Sequence, residues 1–101
     1  MSKSYVALIR KEDNTEYWID IPDVPGCASC GETIDAAIAN FEDALQFHLQ
    51  GMKESGVFLQ DPRSVQDVLR SEEDPFIESY MVEIDDMTPH LKFSFSRLSI
   101  V

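Results

Sequence analysis

Cys27 and Cys30 stand three residues apart, the spacing used by thiol redox centres and by halves of zinc sites. His48 is the other side chain in the same stretch that could move a proton near neutral pH. Each has a structural reading beside the chemical one. In an extended segment, residues three apart point to opposite faces, so the two sulfurs should diverge. A structural zinc ion takes about four ligands, and the two histidines, His48 and His90, stand at no recognisable spacing from the cysteines. His48 lies beside an apolar helical stripe, where packing or polar satisfaction is its commonest use. The residues therefore predict no catalytic group, no metal site and no cofactor.

The carboxylates pose a different question. The chain has 101 residues with 8 Lys plus Arg against 19 Asp plus Glu, a net charge of −11. Such a surface repels nucleic-acid phosphates and attracts basic partners, although it is also an ordinary route to solubility. No apolar run reaches the roughly 18 residues of a membrane span, and the N-terminal segment lacks a signal-peptide h-region. Two cysteines are too few for a disulfide scaffold in a chain of this size. A soluble cytoplasmic protein is expected.

The elements that must position these residues are legible from periodicity. Residues 5–11 are apolar on both faces, with Tyr5, Ala7 and Ile9 opposite Val6 and Leu8, as in a central strand. After a polar turn, residues 16–21 return as a second strand, with Tyr17 and Ile19 on one face and Trp18 and Asp20 on the other. Pro22 stops that strand, and Pro25 with Gly26 forces a reversal. Residues 27–31 form a short third strand, and Thr33 caps a helix whose stripe runs through Ile34, Ala37, Ile38, Phe41, Leu45, His48 or Leu49, and Met52. Gly56 is its C′ residue. Ser64 caps a short second helix, residues 76–85 form a fourth strand with Phe76, Tyr80, Val82 and Ile84 on one face, and residues 90–101 form a last strand.

Within residues 16–56, Pro22, Asp23, Pro25, Gly26 and Cys27, then Gly31, Glu32 and Thr33, then His48, Leu49 and Gly51 form separated anchors. Together they resemble the HicB-type antitoxin family. The resemblance implies an α+β, partial ribonuclease-H-like fold: a three-stranded antiparallel sheet, one long helix packed on it, a short second helix and a returning fourth strand, plus a C-terminal strand. It implies binding and inhibition of a small basic mRNA-cleaving toxin, HicA. Ribonuclease-H-like nucleases cleave with metal-bound carboxylates, for which Asp20, Asp23, Glu42 and Glu83 are available. The family's version of the fold is non-catalytic, and a fold does not imply an activity. Family members commonly carry a C-terminal DNA-binding module. Here the tail resembles the strand that opens a ribbon-helix-helix unit, and the sequence stops where its helices would follow. No direct DNA binding is expected.

The expected function is that of a non-catalytic antitoxin. Trp18, Asp20, Asp23, Glu32 and Asp35 are the candidate toxin-facing surface, while Pro22, Pro25, Gly26 and Thr33 are structural turn residues. Residues 1–88 are read as the α+β domain and residues 89–101 as an oligomerisation strand bearing Leu91, Phe93 and Phe95, which makes a homodimer or higher homo-oligomer. The alternative is a stand-alone oligomeric scaffold or small-ligand-binding protein without a toxin.

Overall fold

The computed structural model describes residues 2–85 and 92–98. The elements in order are β1 (Ser2–Arg10), β2 (Tyr17–Asp20), β3 (Ala28–Gly31), α1 (Ile34–Glu54), α2 (Val65–Ser71), β4 (Glu78–Asp85) and β5 (Lys92–Arg97). The strands make one antiparallel sheet in the order β3-β2-β1-β4-β5. It is thus five-stranded, not three-stranded. The fourth strand lies between β1 and β5, and the C-terminal strand is a member of the same sheet.

The doubly apolar pattern of β1 has its cause in two layers. Tyr5, Ala7 and Ile9 face α1 and join Ile19, Val82, Ile84, Phe41 and Leu45 in the larger core. Val6 and Leu8 face the other way and meet Val68 of α2, with Phe76 and Met81 beside them. Phe76 therefore belongs to the α2 layer, not to the face of Tyr80, Val82 and Ile84 as the alternation suggested. The strand begins two residues later, and the ladder is joined by the Ile77 N–H donating to the Ile9 carbonyl at 2.8 Å.

The long helix starts and ends by side-chain and backbone devices written in the sequence. Thr33 has extended backbone (φ −126°), and its hydroxyl accepts the Ala36 N–H at 3.0 Å, satisfying one of the free donors of the first turn. At the other end Gly56 adopts φ +73°, its N–H donates to Lys53 and the Val57 N–H to Met52, closing the last turn. Ala37, Phe41, Leu45 and Leu49 are buried at the expected helical spacing. α2 is shorter, and the Ser64 hydroxyl accepts the Asp67 N–H at 3.1 Å. Among the described residues no helix is long and apolar enough to cross a membrane.

Candidate functional site

The proline turns position the residues of interest. Val24 donates its N–H to the Ile21 carbonyl at 2.9 Å, a turn over residues 21–24 that Pro22 pre-sets, and Gly26 follows with φ +90°. This reversal drives Asp23 inward. Asp23 is only 3% exposed, and its carboxylate accepts the Arg63 Nε–H at 2.7 Å and the Arg63 backbone N–H at 2.8 Å. It ties the turn to the segment before α2 and is buried, unlike the surface position expected from sequence.

Trp18 and Asp20 point to the α2 face and are brought together. They line a groove of about 520 Å³ with Arg10, Glu72, Asp74 and Pro75. Arg10 forms its floor. The guanidinium donates from Nε to Asp20 Oδ1 at 2.7 Å and from an Nη to Asp20 Oδ2 at 3.3 Å. Its other Nη lies 2.9 Å from Glu72 and 3.2 Å from the Asp74 carbonyl. The hydrogen bonds to Asp20 hold the Arg10 pKa above its ordinary value, against the opposing effect of burial. Glu32 and Asp35 are exposed at the head of α1, apart from this groove.

A second groove, of about 600 Å³ and largely apolar, lies along the C-terminal half of α1 and is lined by Cys27, Phe47, His48, Met52 and Val57. His48 is half-buried and packs over the turn, so that a Cβ added at Gly26 would sit 3.4 Å from its Cε1. Phe47 is 82% exposed and Phe58, just past the helix end, 91% exposed. Sequence reading missed both phenylalanines. The available signal was Phe47 itself, an aromatic residue off the apolar stripe, where a solvent-facing helix position is ordinarily polar. Glu72 and Asp74 were missed for lack of any local mark.

The cysteines part. Cys27 is buried in the α1 core, and burial pushes its thiol up to about 11, while Cys30 is exposed opposite Trp18 with its thiol 3.6 Å from Glu16. Among the described residues no group of three or more His, Cys, Asp or Glu side chains could hold a metal ion. Thiol titration should show one fast and one slow cysteine, with Cys27 reacting at least about tenfold slower than Cys30 near neutral pH because it is neither exposed nor ionised. Equal rates would contradict the burial. Since folding disfavours the Cys27 thiolate, the unfolded chain loses this proton at lower pH, and stability should decline as pH rises from the ordinary thiol range toward 11.

β5 lies beside β4, and Phe95 sets its ring edge-on to Phe41, with centroids 6.2 Å apart and planes at 85°. The Phe93 backbone pairs with Ile84. Leu91 and His90 lie outside the described residues.

Comparison with known proteins gives consistent relatives. Residues 5–100 match the family model described as a HicB-like antitoxin of bacterial toxin-antitoxin systems. An uncharacterised 14.9 kDa protein from the rep-hol intergenic region of Haemophilus phage HP1 is 32% identical over 88 residues, which are 86% of this chain and 64% of that protein. The UPF0150 protein Ta0767 of Thermoplasma acidophilum is 29% identical over 49 residues, 48% of this chain and 71% of that one. Among solved structures, the N-terminal domain of the Burkholderia pseudomallei antitoxin HicB aligns with a TM-score of 0.67 at 28% identity, covering 81% of this chain and 98% of that domain. The longer B. pseudomallei HicB structure shares the fold, with a TM-score of 0.56 at 23% identity over 96% of this chain and 64% of that one. The chain thus spans about two thirds of the length of the phage relative and of that longer HicB.

Proposed function

The chain belongs to the HicB-like antitoxin family of bacterial toxin-antitoxin systems, and from that premise we propose that it neutralises a small basic HicA-type mRNA-cleaving toxin by covering it, with no catalysis of its own. The observation that carries this reading is the groove in which Trp18 stands beside four carboxylates, Glu12, Asp20, Glu72 and Asp74, against the two cations Arg10 and Lys11, on a chain of net charge −11. A ribonuclease must present Lys or Arg to RNA phosphates. Carboxylates fixed in a groove with an aromatic wall match such cations in charge and add a cation–π surface. Glu32 and Asp35, exposed at the helix start, extend the acidic surface. The absence of catalysis is supported by the way two of the available carboxylates are used: Asp20 is held by Arg10 and Asp23 by Arg63.

The same charge argues against direct DNA binding and for the cytoplasm, where a basic toxin is made and the free cysteines stay reduced. Among the described residues β5 is an edge strand of the sheet, which supports homodimerisation by strand pairing through the strand that carries Phe93 and Phe95.

Co-expression tests the function. A HicA-type toxin should arrest growth when expressed alone, should be neutralised by this chain when the two are co-expressed, and should copurify with it. Continued arrest and no copurifying complex would sink the proposal.

A further inference from the structure

The two grooves are not independent features, because both reach Ala28 on β3, the terminal strand of the sheet. On one side of β3 lies the acidic groove with Trp18, Asp20, Glu72 and Asp74, and on the other the apolar groove with Phe47, Met52 and Val57. Ala28 and Cys30 are exposed and pair on their inner side with Asp20 and Trp18 of β2. Asn40 donates its side-chain N–H to the Cys30 carbonyl at 2.8 Å, which marks Cys30 as a residue whose backbone faces away from β2. In an antiparallel ladder the hydrogen-bonding direction alternates along a strand, so Ala28, two residues earlier, presents its N–H and carbonyl the same way.

We propose that β3 is a strand-addition site for an extended segment of a basic partner protein whose side chains alternate between Lys or Arg and apolar residues. Backbone pairing with the outward N–H and carbonyl of Ala28 and the outward N–H of Cys30 supplies the register, while Asn40 holds the Cys30 carbonyl. The two-residue period of the added strand then sends every second side chain to one flank and the others to the opposite flank. The basic set meets Trp18 and the carboxylates, and the apolar set meets Phe47, Met52 and Val57. Such a strand satisfies both chemistries at once, whereas a helix presents one stripe to one groove. A second copy of this chain docking through its own β3 fits poorly. That strand, Ala-Ser-Cys-Gly, offers neither a cation nor a large apolar group, and two acidic flanks would be brought together. The proposal rests on the antitoxin reading, since the partner is the basic protein which that reading requires.

The test uses the full chain, alone and with the HicA-type toxin of the co-expression experiment, with amide exchange read residue by residue by NMR. Complex formation should slow exchange at Ala28 and Cys30 by at least about tenfold. Phe47→Glu and, separately, the pair Glu12→Lys with Asp74→Lys, at two exposed carboxylates that line the acidic groove, should each weaken binding by about tenfold or more, the second effect shrinking at high salt. All three side chains are exposed, so the variants keep the fold. A complex that leaves Ala28 and Cys30 exchange unchanged, or that Phe47→Glu binds like the wild type, overturns strand addition and leaves the antitoxin function standing. Concentration-dependent protection of Ala28 and Cys30 in the free chain overturns it in favour of a second copy. Failure to form any complex overturns both readings.

Discussion

Replacing Phe41 with alanine should cost about 3–5 kcal/mol of unfolding free energy, out of the roughly 5–15 kcal/mol that a domain of this size possesses. Phe41 is fully buried at the middle of α1, among Ala7, Ile9, Val82 and Ile84. Truncation removes a whole ring and leaves a cavity between a helix and a sheet that cannot collapse without dragging α1 off β1 and β4. The ring also meets Phe95 edge-on, so the same substitution loosens β5. The expected drop in Tm is about 12–40 °C by circular dichroism, given that 1 kcal/mol shifts Tm by about 4–8 °C in domains approaching this size. A double-mutant cycle with Phe95→Ala should return a coupling of about 0.5–1.5 kcal/mol. A loss below about 1 kcal/mol for Phe41→Ala would place the residue outside the core and refute the packing described.

The Phe41–Phe95 contact also shows where sequence reading reached its limit. Phe41 was legible as a core residue because helical periodicity is local: Ala37, Phe41, Leu45 and Leu49 repeat on one face whatever the rest of the chain does. Thr33 and Gly56 were legible for the same reason, since a cap and a left-handed C′ residue are set by their immediate neighbours. β1 declared itself central by being apolar on both faces. By contrast, strand neighbours are fixed by contacts far apart in sequence, and nothing in residues 92–97 says that they pair with β4 within the sheet rather than stand apart as an appended element.

Asp23 makes the same point for the site. A carboxylate between two prolines in a turn reads as exposed, and its neighbours give no sign otherwise. What turns it inward is Arg63, forty residues later, whose side chain and backbone N–H both need an acceptor. Trp18 and Asp20 were identified as lying on one strand face by simple alternation, and the structure adds the opposite wall from the segment after α2. Glu72 and Asp74 come from an acidic stretch whose composition predicts only solvation, so their place in a groove depends wholly on where α2 packs.

Arg10 is what holds that groove together, and Arg10→Met should destabilise the chain by about 3 kcal/mol, although methionine replaces much of the aliphatic stem. The residue is 8% exposed, and its guanidinium spans three segments: β1, which bears it, Asp20 on β2, and Glu72 with the Asp74 carbonyl after α2. Without the cation, Asp20 and Glu72 face each other with no counter-charge in a partly enclosed site, and the Asp74 carbonyl loses a donor. One observation separates this account from a simple packing loss: the deficit should narrow when Asp20→Asn and Glu72→Gln are added to Arg10→Met. A deficit unrelieved by the neutral pair would mean that the stem, not the charge, holds β2 and the α2 segment together. The functional consequence follows from the same geometry. If Arg10 fixes the orientation of Asp20 and Glu72 beside Trp18, its loss should weaken capture of a basic partner even at temperatures where the variant remains folded, because the carboxylates would have to be ordered again on binding.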